Sequence, residues 1–272
     1  MHDFPPKKAI LLTSARIAVQ GLGYSCAGTK YEPDNQRWRQ RQMSEDAAQS
    51  ELLVEQIQIG PMENFSYIIG SRSTREVVIV DPAWDIGALV ERLEAEDYTL
   101  RGALLTHYHP DHCGGAMGGN SIQGVANLME QMPVPVYANR LEGDGVKKVT
   151  GISESDLKRV DSGDKLSIGE VEIEFLHTPG HTPGSQCFRV NNTLVSGDTL
   201  FINGCGRVDL PGSDIEDMYY SLQKLAALPD DTLLLPGHNY SDVPNATMAE
   251  TKQVNVYMRI PDLASWKSLM GH

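Results

Sequence analysis

Four segments of the sequence share one layout, in which a short apolar run leads into a turn that carries histidine or aspartate. Loops at the ends of strands are where a rigid scaffold presents reactive side chains. The four segments contain most of the histidines of the chain, so the pattern predicts that distant segments meet at one site. The segments are "LLTHYHPDH" (104–112), "EFLHTPGHTPGS" (174–185), "LVSGDTLF" (194–201) and "LLLPGHNY" (233–240).

The first segment crowds four residues of metal-binding type into one turn. His107 and His109 are two residues apart, so their side chains point the same way on an extended backbone. Asp111 continues that alternation, and His112 follows it directly. Imidazole nitrogens and carboxylate oxygens are ligands of divalent metals, but one turn cannot surround two ions by itself. The sequence therefore predicts a metal centre to which the other three segments contribute.

Apolar runs and amphipathic stretches alternate along the chain from about Leu52 onwards. Apolar residues at helical spacing predict helices over 86–96, 121–132 and 214–228, the last of them capped by Asp214. Two β-rich halves, each closed by helices, indicate an α/β fold with two packed sheets and helices outside. Runs rich in Val, Ile and aromatic residues predict strands over 54–59, 65–70, 76–81, 103–106, 133–138, 171–178, 186–190, 193–201 and 231–240.

The composition limits the kinds of molecule that the protein is expected to bind. The net charge of −13 argues against nonspecific nucleic-acid binding, and no apolar run has the length of a membrane span. We therefore expect a small-molecule substrate, and a homodimer stays open. We also expect residues 1–50 to form an N-terminal extension and residues 51–272 to form one domain that ends in short helices.

The cysteines indicate the redox compartment. Cys26, Cys113, Cys187 and Cys205 show no paired spacing, which predicts free thiols. Residues 7–22 are interrupted by a charged residue and lack a clean cleavage site, so they do not form a typical secretory signal. We expect the protein to be cytoplasmic.

The four segments, in this order, resemble the motifs of the metallo-β-lactamase superfamily. "THYHPDH" is similar to the HxHxDH signature, and "TPGHTPGS", "SGDTLF" and "PGHNY" are similar to the later motifs. The resemblance implies an αββα sandwich of two mixed sheets flanked by helices, with a dinuclear site on one edge. It implies that the first metal is held by His107, His109 and His181, the second by Asp111, His112 and His238, and both by Asp198.

Two features of these motifs matter for the assignment. "HTPGH" contains two histidines, and His181 matches the motif because it follows the Pro-Gly turn, whereas His177 still lies in the predicted strand. The bridging position holds a carboxylate, Asp198. Class B β-lactamases lack this aspartate and the hydrolase branches have it.

Such a site predicts hydrolysis of an acyl compound. The site would hold two divalent ions, for which zinc is favoured and iron and manganese are alternatives. Such ions lower the pKa of a bridging water to a value near neutrality. The resulting hydroxide attacks an acyl carbon, and Asp111 passes the proton to the leaving group. Tyr240 is a candidate hydrogen-bond donor to the oxyanion, with an ordinary packed aromatic as the alternative.

The substrate is indicated by a second resemblance. "FINGCGRVD" (201–209) is similar to a stretch of the glyoxalase II and persulfide dioxygenase branches, where the arginine lies near the substrate and glutathione is the usual partner. This implies that Arg207 binds a substrate carboxylate, and an ion pair with Asp209 is the equal alternative. Few residues follow Tyr240, so the full helical domain that completes the glutathione site of glyoxalase II has no evident equivalent.

Four functions follow from these observations. The favoured one is a dinuclear thioester hydrolase of the hydroxyacylglutathione type. The alternatives are a mononuclear iron persulfide dioxygenase, a lactonase or β-lactam hydrolase, and a binding protein that keeps the fold. The intact ligand set argues against the last of these.

Overall fold

The computed structural model describes residues 50–271, and it arranges most of their strands in two six-stranded sheets. The expected extension over residues 1–50 lies outside the described residues except for Ser50, and so does Cys26. The strands are β1 (Leu52–Ile59), β2 (Asn64–Ser71), β3 (Glu76–Val80), β4 (Thr99–Leu104), β5 (Gly115–Met117), β6 (Asn120–Ile122), β7 (Val136–Asn139), β8 (Leu157–Val160), β9 (Lys165–Ile168), β10 (Val171–His177), β11 (Gln186–Val190), β12 (Thr193–Gly197), β13 (Leu233–Pro236) and β14 (Ala246–Thr247). The helices are α1 (Ile86–Ala95), α2 (Pro110–Cys113), α3 (Val125–Gln131), α4 (Gly143–Thr150), α5 (Ile215–Ala226), α6 (Met248–Val254) and α7 (Leu263–Met270), with a 3-10 turn at Tyr257–Arg259.

The sheets follow the two halves of the chain. The first has the strand order β1-β2-β3-β4-β7-β8, the second has the order β14-β13-β12-β11-β10-β9, and β5 and β6 form a separate hairpin. β3, β4, β7 and β8 run parallel, as do β12 and β13. Parallel neighbours need crossover connections, and α1, α3, α4 and α5 lie in those connections. The helices pack on the outer faces, which confirms the αββα sandwich.

Branched and aromatic side chains of both sheets fill the space between them. In β10, Val171, Ile173 and Phe175 are buried, whereas Glu172 is exposed and Glu174 is half-buried, as the alternating sequence of a strand predicts. Phe188 of the neighbouring strand β11 meets Phe175 edge to face, with ring centroids 5.5 Å apart. This aromatic pair belongs to the core that holds the two sheets together.

Helix ends follow the predicted capping. Helix α1 buries the apolar face that the spacing over 86–96 predicts. Helix α5 starts one residue after Asp214, whose side chain accepts hydrogen bonds from the backbone N–H groups of Glu216 and Asp217. The predicted N-cap is confirmed, and it satisfies amide groups that the helix itself leaves unpaired.

Two sequence expectations are wrong in detail, and one helix was missed. The helix predicted over 121–132 starts only at Val125, because residues 120–122 form β6 and pair with β5. Helix α4 was not predicted, since it is short and opens with Gly-Asp-Gly, residues of low helix propensity. The strand predicted over 193–201 ends at Gly197, so the polar residues beyond it lie in a loop. The strand predicted within 231–240 ends at Pro236, at the expected Pro-Gly turn.

Two broader expectations concern cysteines and membranes. Cys113, Cys187 and Cys205, the three cysteines within residues 50–271, are free thiols. Every helix in the described part of the chain is too short or too polar to span a lipid bilayer.

The core predicts a stability change. Phe188→Ala should lower the free energy of unfolding by about 3–5 kcal/mol, because it removes a fully buried ring and leaves a cavity between the sheets. Urea denaturation measures the change, and Phe188→Leu, which retains most of the volume, should lose less. A loss below about 1 kcal/mol for the alanine variant would contradict this view of the core.

Candidate metal centre

Loops from both sheets bring seven histidine and aspartate side chains together at one edge of the sandwich. These loops follow β4, β10, β12 and β13. Their ligand-type atoms form three triads, and within each triad the atoms lie within 4.8 Å of one another. The triads are His107–His109–His181, His107–His112–Asp198 and Asp111–His112–His238. The structure thus brings together every residue that the sequence analysis named as a metal ligand.

The first segment reaches the site by a bend that the sequence analysis missed. His109 is extended, with ψ 140°, and it is the N-cap residue of helix α2. Pro110 occupies the first helical position, where its missing N–H costs nothing. The expected alternation therefore ends at His109, and Asp111 and His112 are placed by one helical turn instead. Both are buried, so consecutive residues of this turn enter the site.

Hydrogen bonds determine which nitrogen of three imidazole rings faces the site. Each of these rings donates its Nδ1–H to an oxygen outside the triads, which leaves Nε2 directed inwards. Such bonds fix both the tautomer and the ring orientation of metal-binding histidines. The acceptors are Asp81 Oδ2 for His112, Arg207 O for His181 and Met62 O for His238, each at 2.9 Å.

Asp81 is one of the residues at the site that sequence reasoning missed. It is buried at the end of β3, where Oδ2 accepts hydrogen bonds from His112 Nδ1 at 2.9 Å and from Thr106 Oγ1 at 2.7 Å. Its Oδ1 accepts from the Thr106 backbone N–H at 2.8 Å. The signal was present, because "EVVIVD" is also an apolar run that ends in aspartate. Asp81 thus joins the turn after β3 to the two ends of the first motif.

Burial keeps two of the histidines in the neutral form. Burial, together with the charge on neighbouring imidazoles, lowers the pKa of His107 well below its usual value. Burial and the adjacent His181 lower the pKa of His109 to about 4. Both rings are therefore neutral at pH 7, which is the form in which an imidazole nitrogen binds a metal.

Carboxylates dominate the other side of the site. Burial alone would lower the pKa of His112, but the carboxylates of Asp198 and Asp111 raise it well above its usual value. Burial alone would raise the pKa of Asp198, but His112 and His238 lower it well below the usual range. In the metal-free centre, the positive charge of the buried His112 imidazolium therefore offsets two carboxylates. A bound metal cation can supply that positive charge instead.

Two buried atoms of the site lack hydrogen-bond partners among the described residues, namely His107 Nε2 and Asp198 Oδ1. Asp198 Oδ1 lies 3.3 Å from His112 Nε2, an ionic contact without hydrogen-bond geometry, while Oδ2 lies 3.4 Å from His238 Nε2 and 3.7 Å from His181 Nε2. Buried polar atoms are nearly always satisfied, so two orphaned atoms of the His107–His112–Asp198 triad fit a bound cation. The donor set of nitrogen and carboxylate oxygen fits a divalent metal.

A cavity of about 720 Å³ opens onto the triads. Its walls combine apolar side chains such as Met62 and Phe201 with the polar residues of the centre. Ala116 and Met117 of the β5–β6 hairpin form part of the wall. A pocket of this size and mixed lining suits a small organic substrate.

The remaining sequence-predicted residues lie at the cavity or beside it. Arg207 lines it but makes a two-pronged ion pair with Asp209, with both bonds 2.8 Å long, which is the alternative named from the sequence. Tyr240 lines the cavity and stacks on His238 at 4.6 Å, and burial raises the pKa of its phenol to about 12. His177 Nε2 hydrogen-bonds to Pro183 O, and His177 is in none of the three triads.

An αββα sandwich with a histidine- and aspartate-rich centre at one edge is the architecture of a class of metal-dependent hydrolases. The family model described as "Metallo-beta-lactamase superfamily" matches residues 59–238, and the chain belongs to that superfamily.

Two curated relatives and one solved structure resemble this chain over most of its length. The chain is 31% identical to "Probable polyketide biosynthesis zinc-dependent hydrolase BaeB" of Bacillus velezensis, over 72% of this chain and 82% of that protein. It is 32% identical to the hydroxyacylglutathione hydrolase of Tolumonas auensis, over 77% of this chain and 76% of that protein. The structure of ETHE1 from Myxococcus xanthus matches with TM-score 0.67 and 26% identity, over 81% of this chain and 90% of that chain. These likenesses and the triads support divalent metal binding.

The pairing of Asp81 with His112 gives a testable stability difference. Asp81→Asn should lower the free energy of unfolding of the metal-free protein by about 1–3 kcal/mol at pH 7, because it removes the buried carboxylate that accepts hydrogen bonds from His112 Nδ1 and from Thr106. Urea denaturation in the presence of a chelator measures it. Asp209→Asn removes the carboxylate of an exposed pair and should leave the unfolding curve unchanged. Equal losses in the two variants would contradict the prediction.

Proposed function

We propose that this chain is a dinuclear metal-dependent hydrolase that cleaves thioesters. The observation that carries the proposal is the meeting of the three triads around two orphaned buried atoms. In this proposal His107, His109 and His181 hold one ion, and Asp111, His112 and His238 hold the other. Asp198, which contacts imidazoles of both sets, is their shared ligand. Zinc is the proposed metal, in line with the relative named as zinc-dependent, and iron or manganese would fit the same donors.

The chemistry divides between the ions and the chain. Divalent ions, when bound, lower the pKa of water and polarise an acyl carbonyl. Asp111 lies in the cavity wall beside the centre, where its carboxylate can carry a proton towards the leaving group. Tyr240 stays protonated at neutral pH because its pKa is raised to about 12, so its phenol can donate a hydrogen bond to a developing oxyanion. A thiolate is a good leaving group and needs little protonation.

The proposed substrate is a hydroxyacylglutathione-like thioester. The likeness to a hydroxyacylglutathione hydrolase supports this choice, and the cavity volume suits an acyl group with part of its thiol carrier. Arg207 is the proposed partner of a substrate carboxylate. Its pair with Asp209 is exposed, and such pairs are weak enough to be exchanged for a substrate.

A second candidate is a mononuclear iron-dependent persulfide dioxygenase. The likeness to ETHE1 favours it, because that structure superposes over four fifths of this chain. The candidate needs only one ion with open positions, so it leaves the Asp111–His112–His238 triad without an evident purpose. That triad is the reason for preferring the hydrolase.

Asp198 provides the most direct test of the proposed site. Asp198→Ala should lose at least about a hundredfold in kcat/KM for a hydroxyacylglutathione thioester, together with bound metal, because it removes the shared ligand. Elemental analysis and thiol release measure the two effects. Asp209→Ala, which removes an exposed carboxylate outside the triads, should retain its metal. Full turnover by Asp198→Ala would show that the site is wrongly assigned.

Metal content and oxygen consumption separate the two candidate functions. The hydrolase predicts up to two ions per chain, thiol release from a thioester without oxygen uptake, and loss of activity on chelation that zinc restores. One iron per chain, with oxygen uptake on glutathione persulfide and no thioester cleavage, would establish the dioxygenase instead.

A further inference from the structure

A short hydrogen-bonded chain outside the triads ends on the carboxylate of Asp111. Trp84 Nε1 donates to Asn64 Oδ1 at 2.9 Å. The amide of Asn64 then donates from Nδ2 to Asp111 Oδ2 at 3.0 Å and to the Asp111 carbonyl oxygen at 3.1 Å. Neither Trp84 nor Asn64 belongs to a triad, and neither was named from the sequence.

The indole determines which way the Asn64 amide faces. An asparagine side chain can turn its oxygen or its nitrogen towards a neighbour, and the two orientations fill the same space. The indole N–H is a donor only, so it requires Oδ1 on the side of Trp84. Nδ2 must then face Asp111, where the carboxylate needs a donor. Without the indole N–H, the amide can turn its oxygen towards the carboxylate and repel it.

The backbone holds Asn64 in register with the second metal triad. Asn64 is buried at the start of β2 and forms an isolated antiparallel bridge with His238. On either side of it, Phe65 N donates to Gly237 O and Asn239 N donates to Glu63 O, both at 2.8 Å. The residue that contacts Asp111 is therefore attached to the segment that carries His238.

Trp84 occupies a conformation that only strong local contacts maintain. Its φ of 71° lies in the left-handed region, which is unusual for a bulky aromatic residue and costs about 1–3 kcal/mol. Its ring covers Gly60, where an added Cβ would lie 2.4 Å from the indole. Its backbone N–H donates to Gln123 O at 2.8 Å. Backbone strain of this kind persists where the surroundings over-determine it, and here it directs the indole N–H at Asn64.

We propose that Trp84 and Asn64 are positioning residues for Asp111. They set the orientation of its carboxylate, and with it the affinity of the Asp111–His112–His238 triad for a metal ion. The proposal rests on the metal site of the proposed function. It assigns a purpose to a strained tryptophan that lies outside the ligand set.

The test is a cobalt titration of the metal-free protein, followed by visible absorption. Trp84→Phe removes the indole N–H and keeps an aromatic ring. The affinity for the second cobalt equivalent should fall about ten- to a hundredfold, as for other groups that orient a metal ligand, while the first equivalent binds as in the wild type. Trp266→Phe is the matched control, because it removes the bond from a buried indole to Ile215 O at 2.7 Å, within the packing of α7 on α5. That variant should bind both equivalents normally.

A double variant tests whether the two residues act through one link. Asn64→Ala alone should lower the affinity for the second cobalt equivalent at least as much as Trp84→Phe does. Adding Trp84→Phe to Asn64→Ala should then change nothing further, since the indole acts only through the amide. Circular dichroism of each metal-free variant verifies folding. Asn64 does not have the positive φ of Trp84, so the cobalt titration of Asn64→Ala tests the link without changing a strained residue.

The outcomes of these titrations distinguish a failure of the positioning role from a failure of the proposed dinuclear function on which it rests. If the wild-type chain binds two equivalents and Trp84→Phe binds both as tightly, the positioning role is wrong and the metal site stands. Equal weakening of both equivalents, or independent addition of the two losses, would also overturn it. A wild-type chain that binds no second equivalent would rule out the second metal site and the dinuclear function, and this proposal with them.

Discussion

The structure depends on the hydrogen bonds that hold imidazole rings at the ends of strands. A buried ring nitrogen without a partner is costly, so each ring of the centre has to satisfy one nitrogen before the other can face a metal. In His112, His181 and His238, Nδ1 meets this need by donating to a carboxylate or a backbone carbonyl. Those acceptors belong to other loops, so the centre is assembled only when the loops are in place.

The two halves of the chain are fastened to each other around this centre. Gln186 of the second sheet donates from its side chain to Leu105 O at 2.8 Å, and from its backbone to Thr106 O at 3.0 Å. On the opposite side, Asn64 pairs with His238. Ligands from each half thus share a common frame, and the relative position of the sheets determines the distances within the triads.

The ligand types and the sandwich were predictable because their signals are local. Apolar runs with strand alternation predicted most of the strands, and histidines and aspartates just beyond them predicted the centre. Asn64 and Trp84 were not found, because an isolated polar or aromatic residue gives no sign of the side chain it will meet. Asp81 was overlooked although it ends an apolar run, as the predicted ligands do. The turn at α2 was missed for a related reason, since Pro110 starts a helix as readily as it stiffens a loop.

The β5–β6 hairpin lines the substrate cavity but supplies no metal ligand. It contributes Ala116, Met117 and Gly118 to the cavity, while none of its residues belongs to a triad. At its tip, a Cβ added at Gly118 or Gly119 would meet no atom within 4 Å among residues 50–271, while the positive φ of both residues favours glycine there. Insertions that keep these two glycines therefore have open space at the tip. Descendants of such a chain can diversify in the compounds they accept while inheriting the same reactive centre.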